Sequence, residues 1–315
     1  MKKITIFIVL INLFIFLLAF PSIALEASKN SLILWFDILL PTLLPFLVVS
    51  QLLLKCDVLQ PLQKMMGPIF SKLFHCSEKG VFCMICGFFC GYPVGARLIA
   101  LEIKDSGLTV EEGQYLLAFC NNVSPIFCIS YGIHYAMGQT QIFPFLFIIY
   151  GSALIFGLLT RPVKRSDKQK QIHQDNCSQK KQTSAAENIY QLIDVCIIDS
   201  FLIMIKLCGY LILFSILSKQ LCTILPENPY LTSGITAFLE ITGGLAMTSQ
   251  LPHGIMRMVI SITALSLGGL CCIFQTNSVI NGSGLSFRRY VIHKGIITLF
   301  ALFLFCLWYF FGYAA

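Results

Sequence analysis

Four short clusters of residues carry side chains and spacings suited to holding a small polar molecule or an ion inside an apolar medium. Gly91, Tyr92, Pro93 and Gly95 form the first, within GFFCGYPVGA, and Asn121, Asn122, Ser124 and Pro125 the second, within AFCNNVSPIF. Glu240, Thr242 and Gly243 form the third, within AFLEITGGL, and Gln275, Thr276 and Asn277 the fourth, within CCIFQTNS. Proline removes a backbone donor and glycine tolerates angles that other residues resist, so the first cluster must interrupt a helix. The carbonyls and amides freed there can coordinate an ion or a polar ligand, and Tyr92 can stack on a base. The consecutive amides Asn121 and Asn122 offer donors and acceptors that suit ribose hydroxyls or base edges. An acid such as Glu240, deep in an apolar segment, is costly and faces a cavity or a partner. There it can bind a cation, accept a proton or hold a ligand hydroxyl. Each cluster also has a plainer reading: a tight turn for helix packing, side chains satisfying backbone groups freed by Pro125, or a shallow Glu240 reaching the interface.

The elements that position these residues follow from composition. Of 315 residues 57% are hydrophobic and 12% are charged, against about 25% charged in soluble chains. The stretches 4–20 and 141–160 contain no charged residue, and each is close to the roughly 20 residues that span a bilayer. The chain therefore reads as an all-α, polytopic integral membrane protein. A net charge of +7 does not indicate a nucleic-acid partner, because the basic residues lie in loops, where they report topology. Residues 161–188 carry seven Lys or Arg against three acids and read as a basic cytoplasmic linker between two halves. Most of the fourteen cysteines lie in apolar runs, where they pack as small hydrophobes. CMICGFFC, with Cys83, Cys86 and Cys90, has no second His or Cys cluster to complete a metal site.

Along the chain, Lys2 and Lys3 precede a first helix over residues 4–25, favoured as a retained membrane helix over a cleaved signal peptide. A short external segment with Glu26, Lys29 and Asp37 follows, then a second helix over 39–54 containing Pro41 and Pro45. Residues 58–74 read as an amphipathic segment on the inner face. The stretch 81–100 enters the membrane and breaks at GYPVG as a re-entrant hairpin. Thr109 and Glu112 have capping-box spacing and start a helix interrupted at 121–125, and 141–160 returns to the linker. A long helix over 189–218 then leaves the cytoplasm. The stretch 231–251 is interrupted at Glu240 and the following glycines, 256–280 is interrupted over SLGGLCCIFQTNS, and a final helix spans 290–311. The first hairpin follows a helix heading inward and the second a helix heading outward, so the halves read as inverted repeats, the arrangement that places transport sites at paired interruptions. The expected divisions are residues 1–29 for the N-terminal helix, 30–160 for the first repeat, 161–188 for the linker and 189–315 for the second repeat. The C-terminus is then extracytoplasmic.

LPTLLPFLVVSQLL, GFFCGYPVGARL and EEGQYLLAFCNNVSPIF, followed by LCGYLILFSIL, FLEITGGL and LSLGGLCCIFQT, resemble the YlbJ family of sporulation integral membrane proteins. More broadly they resemble membrane proteins carrying the nucleoside-recognition, or Gate, domain. The resemblance extends over nearly the whole chain from about residue 30. It implies a transporter-like membrane fold and, in spore-formers, a part in building the spore cortex.

No Walker loop, nucleophile elbow or HExxH motif is present, and the five histidines are scattered. These observations point away from an enzyme, a cofactor and a catalytic residue. Asp199 and Lys206, seven residues apart, share one helix face, with Lys206 expected deep as a structural counter-charge. Arg97 is expected to snorkel toward the interface. The favoured reading is a carrier for a small polar solute, nucleoside-like or otherwise, moved by ion coupling or passively, with Glu240 as the coupling residue. The rival is a non-transporting structural or assembly component of a developmental membrane. The expected partners are the lipid bilayer, a small polar solute or coupling ion, and further copies or other membrane proteins.

Overall fold

Apolar runs of this length belong in a bilayer, where a helix satisfies every backbone group within its own segment. The computed structural model describes residues 2–55, 69–162 and 188–312, and among them regular structure is entirely helical. Six helical stretches are long and apolar enough to cross a membrane: Pro21–Leu53, Val110–Met137, Ile142–Leu159, Ile189–Ile224, Ile255–Ile280 and Phe287–Gly312. The chain is a multi-pass membrane protein. Most of the linker expected at 161–188, and residues 58–68 of the expected amphipathic segment, lie outside the described residues.

The N-terminal region departs from the sequence reading. Helix α1 (Lys2–Ala19) stops at Phe20, and Pro21 opens α2 (Pro21–Leu34). Proline is well placed there, because the first helical position has no intrahelical use for its missing N–H. Glu26, Lys29 and Asp37 therefore lie in helix, not in an external connection. The chain passes through wide π turns at Trp35–Leu39 into α3 (Leu40–Lys55), with Pro45 accommodated inside α3. Ala24, Ala27 and Ser31 form the buried stripe of α2.

The next region packs three helices around small residues. These are α4 (Glu78–Cys90), α5 (Val94–Lys104) and α6 (Val110–Cys120). A Cβ on Gly95 would lie 2.7 Å from Gly87 Cα, and one on Gly87 would lie 2.7 Å from the Cys120 carbonyl oxygen. Ser77 caps α4, accepting from Gly80 N at 3.1 Å, and Thr109 caps α6, accepting from Glu112 N at 3.2 Å. The expected capping box is used differently, however. The Glu112 carboxylate accepts from Ser77 N at 2.5 Å, tying the start of α6 to the start of α4. Helix α7 begins at Pro125–Phe127 and widens into π turns over Cys128–Met137, and α8 covers Ile142–Leu159.

Beyond the linker, α9 (Asn188–Ile224) runs for 37 residues, about 55 Å at 1.5 Å per residue. It holds the α2–α3 helix through Trp35 Nε1 donating to Met204 O at 2.9 Å and Gln51 Nε2 donating to Ser200 Oγ at 3.0 Å. Lys206 is exposed on α9. Helices α10 (Pro229–Leu239), α11 (Ile241–Ser249), α12 (Ile255–Leu267), α13 (Gly269–Ile280) and α14 (Phe287–Gly312) complete the fold. Buried Arg257 donates from Nε to Ala136 O at 2.6 Å and from Nη1 to Leu251 O at 3.0 Å. Its charge thus lies where the last carbonyls of α7 need donors.

Candidate functional site

Each of four helix interruptions has its own local cause. The first ends α4 at Gly91, whose φ of 76° is a left-handed angle that favours glycine, and the Tyr92–Pro93 peptide bond is cis. The second is the non-helical run 121–124 between α6 and α7, where Ser124 Oγ accepts from Phe127 N at 3.3 Å. The third is a single extended residue, Glu240, between α10 and α11. The fourth is Gly268, with φ of 83°, followed by Gly269, with φ of 70°, between α12 and α13. The fourth interruption therefore precedes Gln275, Thr276 and Asn277, which lie inside α13.

These interruptions fit against one another. A Cβ on Gly91 would lie 2.5 Å from Ser124 N, joining the first to the second. One on Gly269 would lie 3.2 Å from Ala237 O and 3.3 Å from Ile241 N, joining the fourth to the third. One on Gly268 would lie 2.9 Å from the Tyr92 ring, joining the fourth to the first. Tyr92 OH also donates to Leu267 O at 3.4 Å.

Behind this junction is a buried polar cluster built from both halves. Asn121 Nδ2 donates to Thr276 Oγ1 at 2.9 Å and to Tyr290 OH at 3.0 Å. Asn122 Nδ2 donates to Phe119 O at 2.7 Å, closing the end of α6, while its Oδ1 accepts from Lys294 Nζ at 2.7 Å. Lys294 is 0% exposed, also reaches Ser266 O at 3.4 Å, and lies 5.0 Å from the centroid of the Tyr92 ring. A cation over an aromatic face in a dry setting is a favourable pairing. Lys294 and Tyr290 were not singled out from the sequence. The available signal was a lysine about two turns into an apolar spanning helix, in YVIHKGIITLF, the kind of intramembrane charge that marks a site.

Glu240 is 4% exposed and caps α11. Its Oε1 accepts from Thr242 N at 2.8 Å and from Thr242 Oγ1, and its Oε2 accepts from Gly243 N at 2.6 Å. The carboxylate thus meets the amides and the positive dipole end of α11.

A cavity of about 340 Å³ opens on this region. Tyr92, Ser124, Glu240, Thr242 and Gln275 line it, together with apolar side chains of α3, α7 and α9. Of the sequence-predicted residues, Asn121 and Thr276 belong to the polar cluster behind the cavity. Gly91 and Gly95 serve close backbone approach, Gly243 donates its N–H to the Glu240 carboxylate, and Pro125 starts α7. Pro93 lines a separate water-sized niche with Lys206 and Gln275, and Asn277 is exposed on α13. Arg97 is half-buried, and its Nε is buried without a hydrogen-bond partner. Among the described residues, no three His, Cys, Asp or Glu side chains gather into a metal-holding group.

Residues 36–137 match the family model described as Gate, nucleoside recognition. Over 107 residues the chain is 30% identical to the sporulation integral membrane protein YlbJ of Bacillus subtilis (strain 168). That match covers 34% of this chain and 26% of the relative, so the chain spans about a quarter of the length of the curated protein it resembles. The Gate match contains the first two interruptions and ends before α8. No solved structure matches the chain at a significant level.

Proposed function

We propose that this protein is a carrier for a small polar solute, for which a nucleoside-like molecule is the first candidate, and that the cavity beside the four interruptions is its binding site. The observation that carries the reading is the meeting of all four interruptions beside one cavity lined by Glu240, Thr242 and Gln275. Interrupted helices near the bilayer midplane are a common way to build a transporter site. In this reading residues 30–160 and 189–315 are inverted repeats, with α4–α5 and α10–α11 as re-entrant hairpins. The N-terminus and the 161–188 linker face the cytoplasm, and the C-terminus faces outward. Glu240 is the ion- or proton-coupling residue, because it is the one carboxylate among the described residues lining the cavity. The likeness to YlbJ supports a link to sporulation where the host forms spores.

The test is a thermal-shift screen of purified protein against nucleosides, bases, small carboxylates and Na⁺. A native-state ligand at a hundredfold excess over its Kd adds about 2.7 kcal/mol of stability. A shift lost in Gln275→Ala and in Glu240→Ala, each variant still folded, supports the carrier. A second reading, a non-transporting membrane scaffold, is favoured by one specific observation: both Glu240 oxygens already accept protein donors. No shift across the panel favours that reading.

A further inference from the structure

We infer that the cavity takes a compact, uncharged amphiphile, an apolar body with a hydrogen-bond-donor head such as a hydroxyl or amide, and that it enters from the hydrocarbon of the bilayer. The inference rests on the reading of the cavity as a ligand site and assigns it a less polar guest than a nucleoside. The rim comes from the spans Pro21–Leu53 and Val110–Met137, with Ile38 and Ile126 near their middles and Phe46 and Tyr135 nearer their ends, and from Phe89 at the end of α4. Ile38, Phe46, Phe89, Ile126 and Tyr135 all line the opening and all belong to the exposed surface, Phe89 at 65% and Ile126 at 60%. Large apolar side chains exposed in the middle of spanning helices face lipid tails; a water-filled mouth would instead leave them against water. Helix α3 packs along α9, and α7 packs against α11 and α12. The cavity lies between these two sets, so its open side is lateral.

The interior sets the chemistry of the guest. Leu207, Leu211 and Ile241 supply apolar wall, and a volume of about 340 Å³ is at the small end for ligand pockets, too small for a two-chain lipid. Glu240 is the one charged side chain among the described liners, and its oxygens are engaged as acceptors. Gln275 is 4% exposed, its Nε2 donates to Cys271 Sγ at 3.0 Å, and its Oε1 has no partner. A buried acceptor left open costs free energy until a donor meets it. A guest bearing a hydroxyl or N–H satisfies Gln275, whereas a carboxylate would bring a second anion beside Glu240.

The test uses the full chain in liposomes with a diazirine-bearing octanol as photoprobe and the matched octanoate as comparator, labelled residues being mapped by mass spectrometry. The alcohol is expected to label Leu207, Leu211 or Ile241, and octanoate to label them less. Leu299 and Phe303, on the exposed side of α14, report simple contact with lipid. Leu43→Trp, which fills the cavity from α3, should abolish interior labelling while that at Leu299 persists. Gln275→Leu should reduce interior labelling by alcohol about threefold to tenfold, the worth of one neutral hydrogen bond. Labelling confined to Leu299 and Phe303, or equal interior labelling by alcohol and acid, overturns the inference. A solute-induced thermal shift that persists when the interior stays unlabelled refutes the lateral entry alone; loss of both refutes the ligand site itself.

Discussion

The interruptions of the first half and those of the second solve one problem, freed backbone in an apolar medium, by opposite means. The second half is largely self-sufficient: Glu240 caps the helix it begins, using Thr242 and Gly243 beside it. The first half borrows. Asn121 depends on Thr276 and Tyr290, and Asn122 on Lys294, all far along the chain. A local cap makes an interruption that survives changes elsewhere, while a borrowed one makes its geometry conditional on the other half.

The comparison can be broken most directly at Asn122. Asn122→Leu strands a buried ammonium, and a lost hydrogen bond to a charged group costs about 1.5–3 kcal/mol, more when the charge stays buried. Adding Lys294→Met should recover much of that loss, a coupling that a double-mutant cycle in thermal unfolding would measure. Gly244→Ala tests the close approach of α10 and α11. Its Cβ would collide with the Ala237 backbone, and overpacking of this kind costs about 1–3 kcal/mol. Glu240→Ala removes a cap and should cost about 1–2 kcal/mol, without altering the accessibility of Asn122 to hydrogen exchange. Asn121→Leu removes interhelical bonds within the membrane, where each is worth about 0.6 kcal/mol on average, so its shift in Tm should be smaller still. Asn277→Ala, on an exposed position, should leave Tm unchanged. A drop there as large as that for Asn121 would mean the fourth cluster had been divided wrongly.

Much of the framework was legible because glycine, proline and uncharged runs act locally. GYPVG, NNVSP and the glycines after Glu240 marked three interruptions, and apolar length marked the spans. The less local features were not legible. The fourth interruption was expected within SLGGLCCIFQTNS and lies at its Gly268 and Gly269, but that stretch does not show that Gln275, Thr276 and Asn277 continue the helix beyond it. The turn at Phe20–Pro21 was placed too late because Glu26 and Lys29 suggested a loop, although helix tolerates both where they face outward. Lys294 lies inside the final helix expected at 290–311, but nothing in that stretch shows what a lysine there would meet. Its partner lies 172 residues away, beyond the reach of any pattern in one stretch.

That separation has a consequence for synthesis. A membrane chain is made from its N-terminus, and segments made earlier begin to fold before later ones exist. Asn121 and Asn122 enter the bilayer long before Thr276, Tyr290 and Lys294 are translated, and until then the Asn121 Nδ2 and the Asn122 Oδ1 must be met by water or by temporary partners. The first half of this protein is therefore begun first and finished last. Its closing piece is α14, so a ribosome that stalls before residue 287 would leave an open, polar wound in an otherwise assembled bundle.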